Sequence, residues 1–154
     1  MTGYAKFTET VPALPELVAQ RMPYDGPHSP ATVKDAARSI SALLRYLTNA
    51  TGPGNGPATL HHAAATHAVL AYLCEASHDL GLLLEHLATA TRGHAERPGL
   101  YDDRRDRVAT QTARDAAGRI EQARAATIDL AAALDRAWQV TSHLRDDQDD
   151  QQTR

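Results

Sequence analysis

A chain of 154 residues with 42% hydrophobic side chains can bury a core without disulfide or metal staples, and its length fits one domain with short tails. Aromatic residues make up only 5% while 29 residues are Ala, so that core is expected to consist of Ala and Leu on closely approaching helices. A formal charge of −3 excludes the basic footprint of a general nucleic-acid binder, the single Cys74 excludes an intramolecular disulfide, and no segment is apolar for long enough to span a bilayer.

The N-terminal residues lack the apolar run of a signal peptide, and a lone cysteine suits a reducing compartment, so a cytoplasmic location is expected. Fourteen Arg against two Lys, with abundant Ala, Gly, Asp and Thr, is the codon signature of a high-G+C bacterial genome.

In chain order, residues 1–29 read as an arm with one short helix from Pro12 or Pro15 to Arg21, Pro standing in its first turn. Phe7, Val11, Leu14, Leu17, Val18 and Met22 give this arm an apolar side that should lie on the bundle. Ser29-Pro30 is a helix start, with Ser as the cap and Pro at the first helical position. The second helix should reach about Asn49, with Val33, Ala36, Ala37, Ile40, Leu43, Leu44 and Leu47 on one face.

Thr51 to Pro57 carries three Gly and two Pro and reads as a helix connection. A phosphate cradle of the Walker type would require a Lys and a Ser or Thr after the glycines and a strand before them, and neither is present.

A third helix is expected from Pro57 to about Thr91, with the seam Ala63, Thr66, Leu70, Leu73, Ser77, Leu80, Leu84, Leu87 and Thr91 in unbroken three–four alternation. Val69, Ala76 and Leu83 widen that stripe, and Gly81 marks a bend or a close approach. Gly93 suits the cap of this helix, and Pro98-Gly99 forbids continuation.

The fourth helix should start at Tyr101 or Asp102, favoured by Asp102, Asp103 and Asp106 at its positive end, and run to about Arg145. Its seam reads Ala109, Ala113, Ala116, Ile120, Ala123, Thr127, Leu130, Leu134, Ala137, Thr141 and Leu144. A Leu-rich seam against an Ala-rich one is the size complementarity of a close antiparallel pair. Residues 146–154 form an acidic tail without an apolar residue and are expected to be disordered.

Folding the third and fourth helices about residue 96 sets Leu84 opposite Val108, Cys74 opposite Gly118 and Pro57 opposite Asp135. In that register the fourth helix overshoots, leaving Trp138, Val140, Thr141 and Leu144 as an overhang that meets the glycine-rich loop or another chain.

Candidate chemistry is sparse. None of the eight His has another three or four residues away, so no helix offers a two-histidine metal clamp. Glu75 and His78 match the Glu-x-x-His spacing of di-iron bundles, which require two such motifs, and here there is one. His67 and Cys74 flank the same seam without a third group to orient a nucleophile. Arg104, Arg105, Arg107, Arg114, Arg119 and Arg124 alternate with acids around the helix, as in a salt-bridged exposed face rather than a phosphate track.

The expected architecture is all-α: an antiparallel helical bundle of three long helices (30–145) plus a short N-terminal helix. The expected function is a non-enzymatic interaction module that pairs with itself or with another helical protein, without cofactor, nucleic acid or membrane. Its expected interface is Trp138, Val140, Thr141 and Leu144. The alternatives are a small bundle enzyme or sensor using His67, Cys74, Glu75 and His78, with Glu75 and His78 as the metal option, and a nucleic-acid accessory protein.

Overall fold

A computed structural model describes residues 13–104 and 108–144, which contain five helices and no strand. The chain divides into two compact units, Met1–Gly56 and Pro57–Arg154. Phe7, Val11, Pro12, the charges at 105–107 and the acidic tail lie outside the described residues.

In the first unit, α1 (Leu14–Arg21) has Pro15 in its first turn, and the Glu16 carboxylate accepts the Ala13 N–H at 3.3 Å. α2 (Pro30–Ala50) starts where Ser29-Pro30 places it. The Ser29 hydroxyl accepts from Thr32 N at 3.1 Å, and Thr32 Oγ1 accepts from Ser29 N at 2.9 Å. This reciprocal cap satisfies two N–H groups that a helix start leaves free, a contribution of about 1 kcal/mol. Along the α2 stripe Val33, Ile40 and Leu44 are exposed, and Ala36, Ile40 and Leu43 line a pocket with Leu17 and Val18 of α1. The loop after it folds on itself: Gly56 N donates to Gly52 O at 2.6 Å and Asn55 Nδ2 to Asn49 O at 3.0 Å. A Cβ on Gly56 would lie 2.8 Å from the Thr51 carbonyl oxygen, which explains a glycine there.

The helix expected from Pro57 to Thr91 is interrupted. A single turn, α3 (Gly56–Thr59), precedes a break at residues 60–62, and α4 (Ala63–His94) follows. The His61 ring nitrogen Nδ1 donates to the Ala58 carbonyl at 3.0 Å, taking an acceptor that a continuous helix would give to a backbone N–H. At the far end Gly93 lies inside α4 and does not cap it. The left-handed position of the turn is Gly99, at φ +83°.

α5 (Ala109–Thr141) begins later than Tyr101 or Asp102 and ends before Arg145. The Asp102 carboxylate, expected at the helix start, instead accepts from Arg104 N at 3.0 Å and from the Thr112 hydroxyl, tying the turn to the first turn of α5.

The later start resets the pairing. α4 and α5 pack along one another, but Cys74 meets Ala131 and Asp135 rather than Gly118. Glu85 meets Arg124, and Arg92 meets Glu121. The displacement is about four helical turns along α5. It removes the overhang, because Trp138 and Thr141 sit beside His67 near the start of α4.

Candidate interaction surface

The closest approach of α4 and α5 is made by small side chains. The buried residues are Cys74, Ser77 and Ala88 on α4, and Ala117, Thr127 and Ala131 on α5. Ala88 is fully enclosed, at 0% exposure. The leucines expected at the seam stand one residue earlier, about 100° round the helix. Leu80 is 41% and Leu87 44% exposed. Leu70, Ser77, Leu84 and Thr91 belong to both possible seams, so the three–four rule alone leaves a choice between Leu73/Leu80/Leu87 and Cys74/Gly81/Ala88. The pair takes the second set: Cys74 and Ala88 are buried between the helices, while at Gly81 the space is open and a Cβ would meet nothing within 4 Å. α5 is turned the same way about its axis, bringing Ala117, Arg124, Ala131 and Trp138 toward α4 in place of Ala116, Ala123, Leu130 and Ala137, although here the inward set is the bulkier one.

That rotation gives the hairpin two unlike faces. One carries an ion-pair ladder: His78 with Asp135 at 3.8 Å, Arg124 with Glu85 at 2.9 Å, and Arg92 with Glu121 at 3.3 Å. Arg124 also reaches Glu121 at 3.7 Å. Each of these side chains is more than a third exposed, so each pair contributes less than about 1 kcal/mol. Between them runs a groove of about 410 Å³ lined by Ser77, Gly81, Glu85, Arg124, Ile128 and Asp135 among others.

The opposite face holds the residues one position before the seam. On α4 these are Leu73, Leu80 and Leu87, flanked by Val69, Ala76 and Leu83; no residue of that row from Thr66 to Ala90 is charged. On α5 the row is Ala116, Ala123, Leu130 and Ala137, flanked by Ala126, Ala133 and Val140, with Arg119 as its one charge. Leu130 is 49% and Val140 68% exposed. Apolar rows of this length on a helical hairpin are the kind of patch that marks an interaction site.

The residues singled out for chemistry separate into two places. Trp138 stacks on the His67 ring with centroids 5.3 Å apart and planes 17° from parallel. The Thr141 hydroxyl donates to the Trp138 carbonyl at 2.9 Å and accepts from His67 Nδ1 at 3.1 Å. Half the expected interface is thus turned toward α4, while Val140 and Leu144 are exposed.

Cys74 lies elsewhere along the seam, its thiol donating to Asp135 Oδ1 at 2.7 Å. The thiol is pushed up to about 11, first by that hydrogen bond, then by burial and by the negative charges of Asp135 and Glu75. It is therefore a protonated donor at neutral pH rather than a nucleophile. His67 is not brought to it. Asp135 joins Cys74 to His78, whereas the register expected from the sequence sets it opposite Pro57 and Cys74 opposite Gly118. Glu75 is exposed, and among the described residues no group of three or more His, Cys, Asp or Glu is placed to hold a metal ion.

No protein-family model, curated protein or solved structure matches the chain. Among the described residues no helix is long and apolar enough to cross a membrane.

Proposed function

We propose that the chain is a non-enzymatic interaction module whose α4–α5 hairpin docks helices against its uncharged face. The observation that carries this reading is the leucine column of exposed Leu80, Leu83 and Leu87 with half-buried Leu73, beside a row of alanines and Leu130, on a hairpin whose other face is laced with ion pairs. Water-exposed apolar rows of this kind are stabilised by covering, at about 25 cal/mol per Å² removed from water. Val140 and Leu144 extend the proposed interface, and Trp138 with Thr141 holds its end against His67. The enzyme alternative has little support from a raised Cys74 thiol that His67 does not reach. The nucleic-acid alternative has little from arginines paired with acids. Composition supports the cytoplasm of a high-G+C bacterium as its place of action.

The test is site-specific photo-crosslinking in cells. A photoreactive side chain at Leu83 should give a covalent protein adduct, whereas the same group at His78, on the ion-paired side of α4, should give none. Equal yields at the two positions would overturn the reading.

A further inference from the structure

We propose that the occupant of the uncharged face is a second copy of this chain, the α4 leucine column of each copy seated on the α5 alanine row of the other in an antiparallel four-helix bundle. The inference rests on reading that face as a docking surface and commits it to one partner.

The first argument is self-complementarity. A two-fold interface places one patch against itself, so the patch must carry both a shape and its complement. This face does so at its two ends: bulky Leu73 and Leu87 stand level with small Ala137 and Ala123, while at the middle Leu80 is level with Leu130, the one large residue of the α5 row. A two-fold axis parallel to the helices lays α4 of one copy over α5 of the other. It also preserves height, so each leucine meets the level it already faces within its own hairpin. A two-fold axis across the helices would set Leu on Leu and Ala on Ala, giving overpacking in one row and voids in the other.

The second argument is area. At about 1.5 Å per residue the uncharged row from Thr66 to Ala90 runs about 36 Å, and two helices side by side are about 20 Å wide, so the face measures on the order of 700 Å² against about 800 Å² per partner in a stable complex. The third is charge: Arg119 is the only ionised group on the rows, so stacking two copies desolvates no row of like charges.

The arrangement sets Leu87 of one copy next to Ala123 of the other, because within the hairpin Glu85 meets Arg124 and Arg92 meets Glu121. Sedimentation of the full chain across a concentration series should show a dimer. Leu87→Ala leaves two cavities in the homodimer, and Ala123→Leu creates two clashes. Each variant alone should dimerise at least about tenfold more weakly. An equimolar mixture should recover the dimer, since each variant then supplies what the other lacks at both contacts.

A strict monomer overturns the second-copy assignment, as does a dimer indifferent to both substitutions. A mixture that stays as weak as the separate variants overturns the Leu-on-Ala arrangement. The two proposals fail separately: a monomer that still crosslinks from Leu83 to a different protein removes the second copy and keeps the docking face. A monomer that gives no adduct removes both.

Discussion

Ala88→Leu tests the rotated seam directly. Ala88 has no exposed surface and sits where α4 and α5 come closest. Leucine adds three carbons. In open space their burial would stabilise the fold by about 0.8 kcal/mol each. Here no space exists, so the helices must part or a side chain must leave its rotamer, at about 1–3 kcal/mol. Parting the helices also uncovers neighbouring small residues such as Ala117, which favours the upper end. For a chain of this size each kcal/mol lowers the melting temperature by roughly 2–4 °C. Urea unfolding followed by far-ultraviolet circular dichroism, at one fixed protein concentration, gives the difference, with exposed Ala68→Leu as the control expected within about 0.5 kcal/mol of the parent. Ala117→Leu should behave like Ala88→Leu. An Ala88→Leu protein as stable as the parent would refute the small-residue seam and return Leu87 to the interior.

Cys74 should alkylate with iodoacetamide at pH 8 at least about tenfold more slowly than a free thiol, because its thiolate is scarce below a pKa of about 11; labelling at the free-thiol rate would refute the Asp135 hydrogen bond. Since folding raises this thiol from 9.0 to about 11, the folded state holds the proton more tightly. The resulting stability is complete below pH 9 and falls away as pH rises from 9 to 11, a loss that a Cys74→Ser protein should lack. Gly81→Ala should stabilise the protein by up to about 1 kcal/mol in the same urea assay, because a Cβ there meets nothing within 4 Å and alanine is the better helix former. A loss of stability would mean that Gly81 serves a close approach after all. Arg124→Ala should lower stability by less than about 1 kcal/mol, with the difference vanishing in 1 M salt, as screening of exposed pairs requires.

Much of the secondary structure was legible because its causes are local. Ser29-Pro30 specifies the start of α2 by side-chain geometry alone, and the Thr51–Pro57 glycines end it. The α4–α5 pairing was not legible, because its determinants are not local. The spacing of apolar residues is compatible with either the leucine column or the small-residue column at the interface. The choice depends on how closely two axes approach, which no single helix encodes. The register failed for a related reason. Asp102 is as plausible in a helix first turn as in a turn that accepts from Arg104 and Thr112, and the second use moves the start of α5 to Ala109. The face proposed for docking nonetheless has a signal in the sequence: the seven-residue recurrence of Leu73, Leu80 and Leu87, with Val69, Ala76 and Leu83 alongside and no charge among them.

The same rotation bears on how the hairpin holds together. Its buried set is Cys74, Ser77, Ala88, Ala117, Thr127 and Ala131, none of them large. Small residues remove little apolar surface from water, and burial is the main favourable term in folding. The residues with surface worth burying stand on the outer face. In the proposed dimer, covering the leucine column would add apolar burial beyond that of the small-residue seam, so folding and assembly would draw on the same contacts. Its apparent stability should therefore rise with protein concentration, as mass action requires when only the folded form associates. In that dimer Leu70 and Leu84 stay at the seam, and Leu73, Leu80 and Leu87 are left for the second copy.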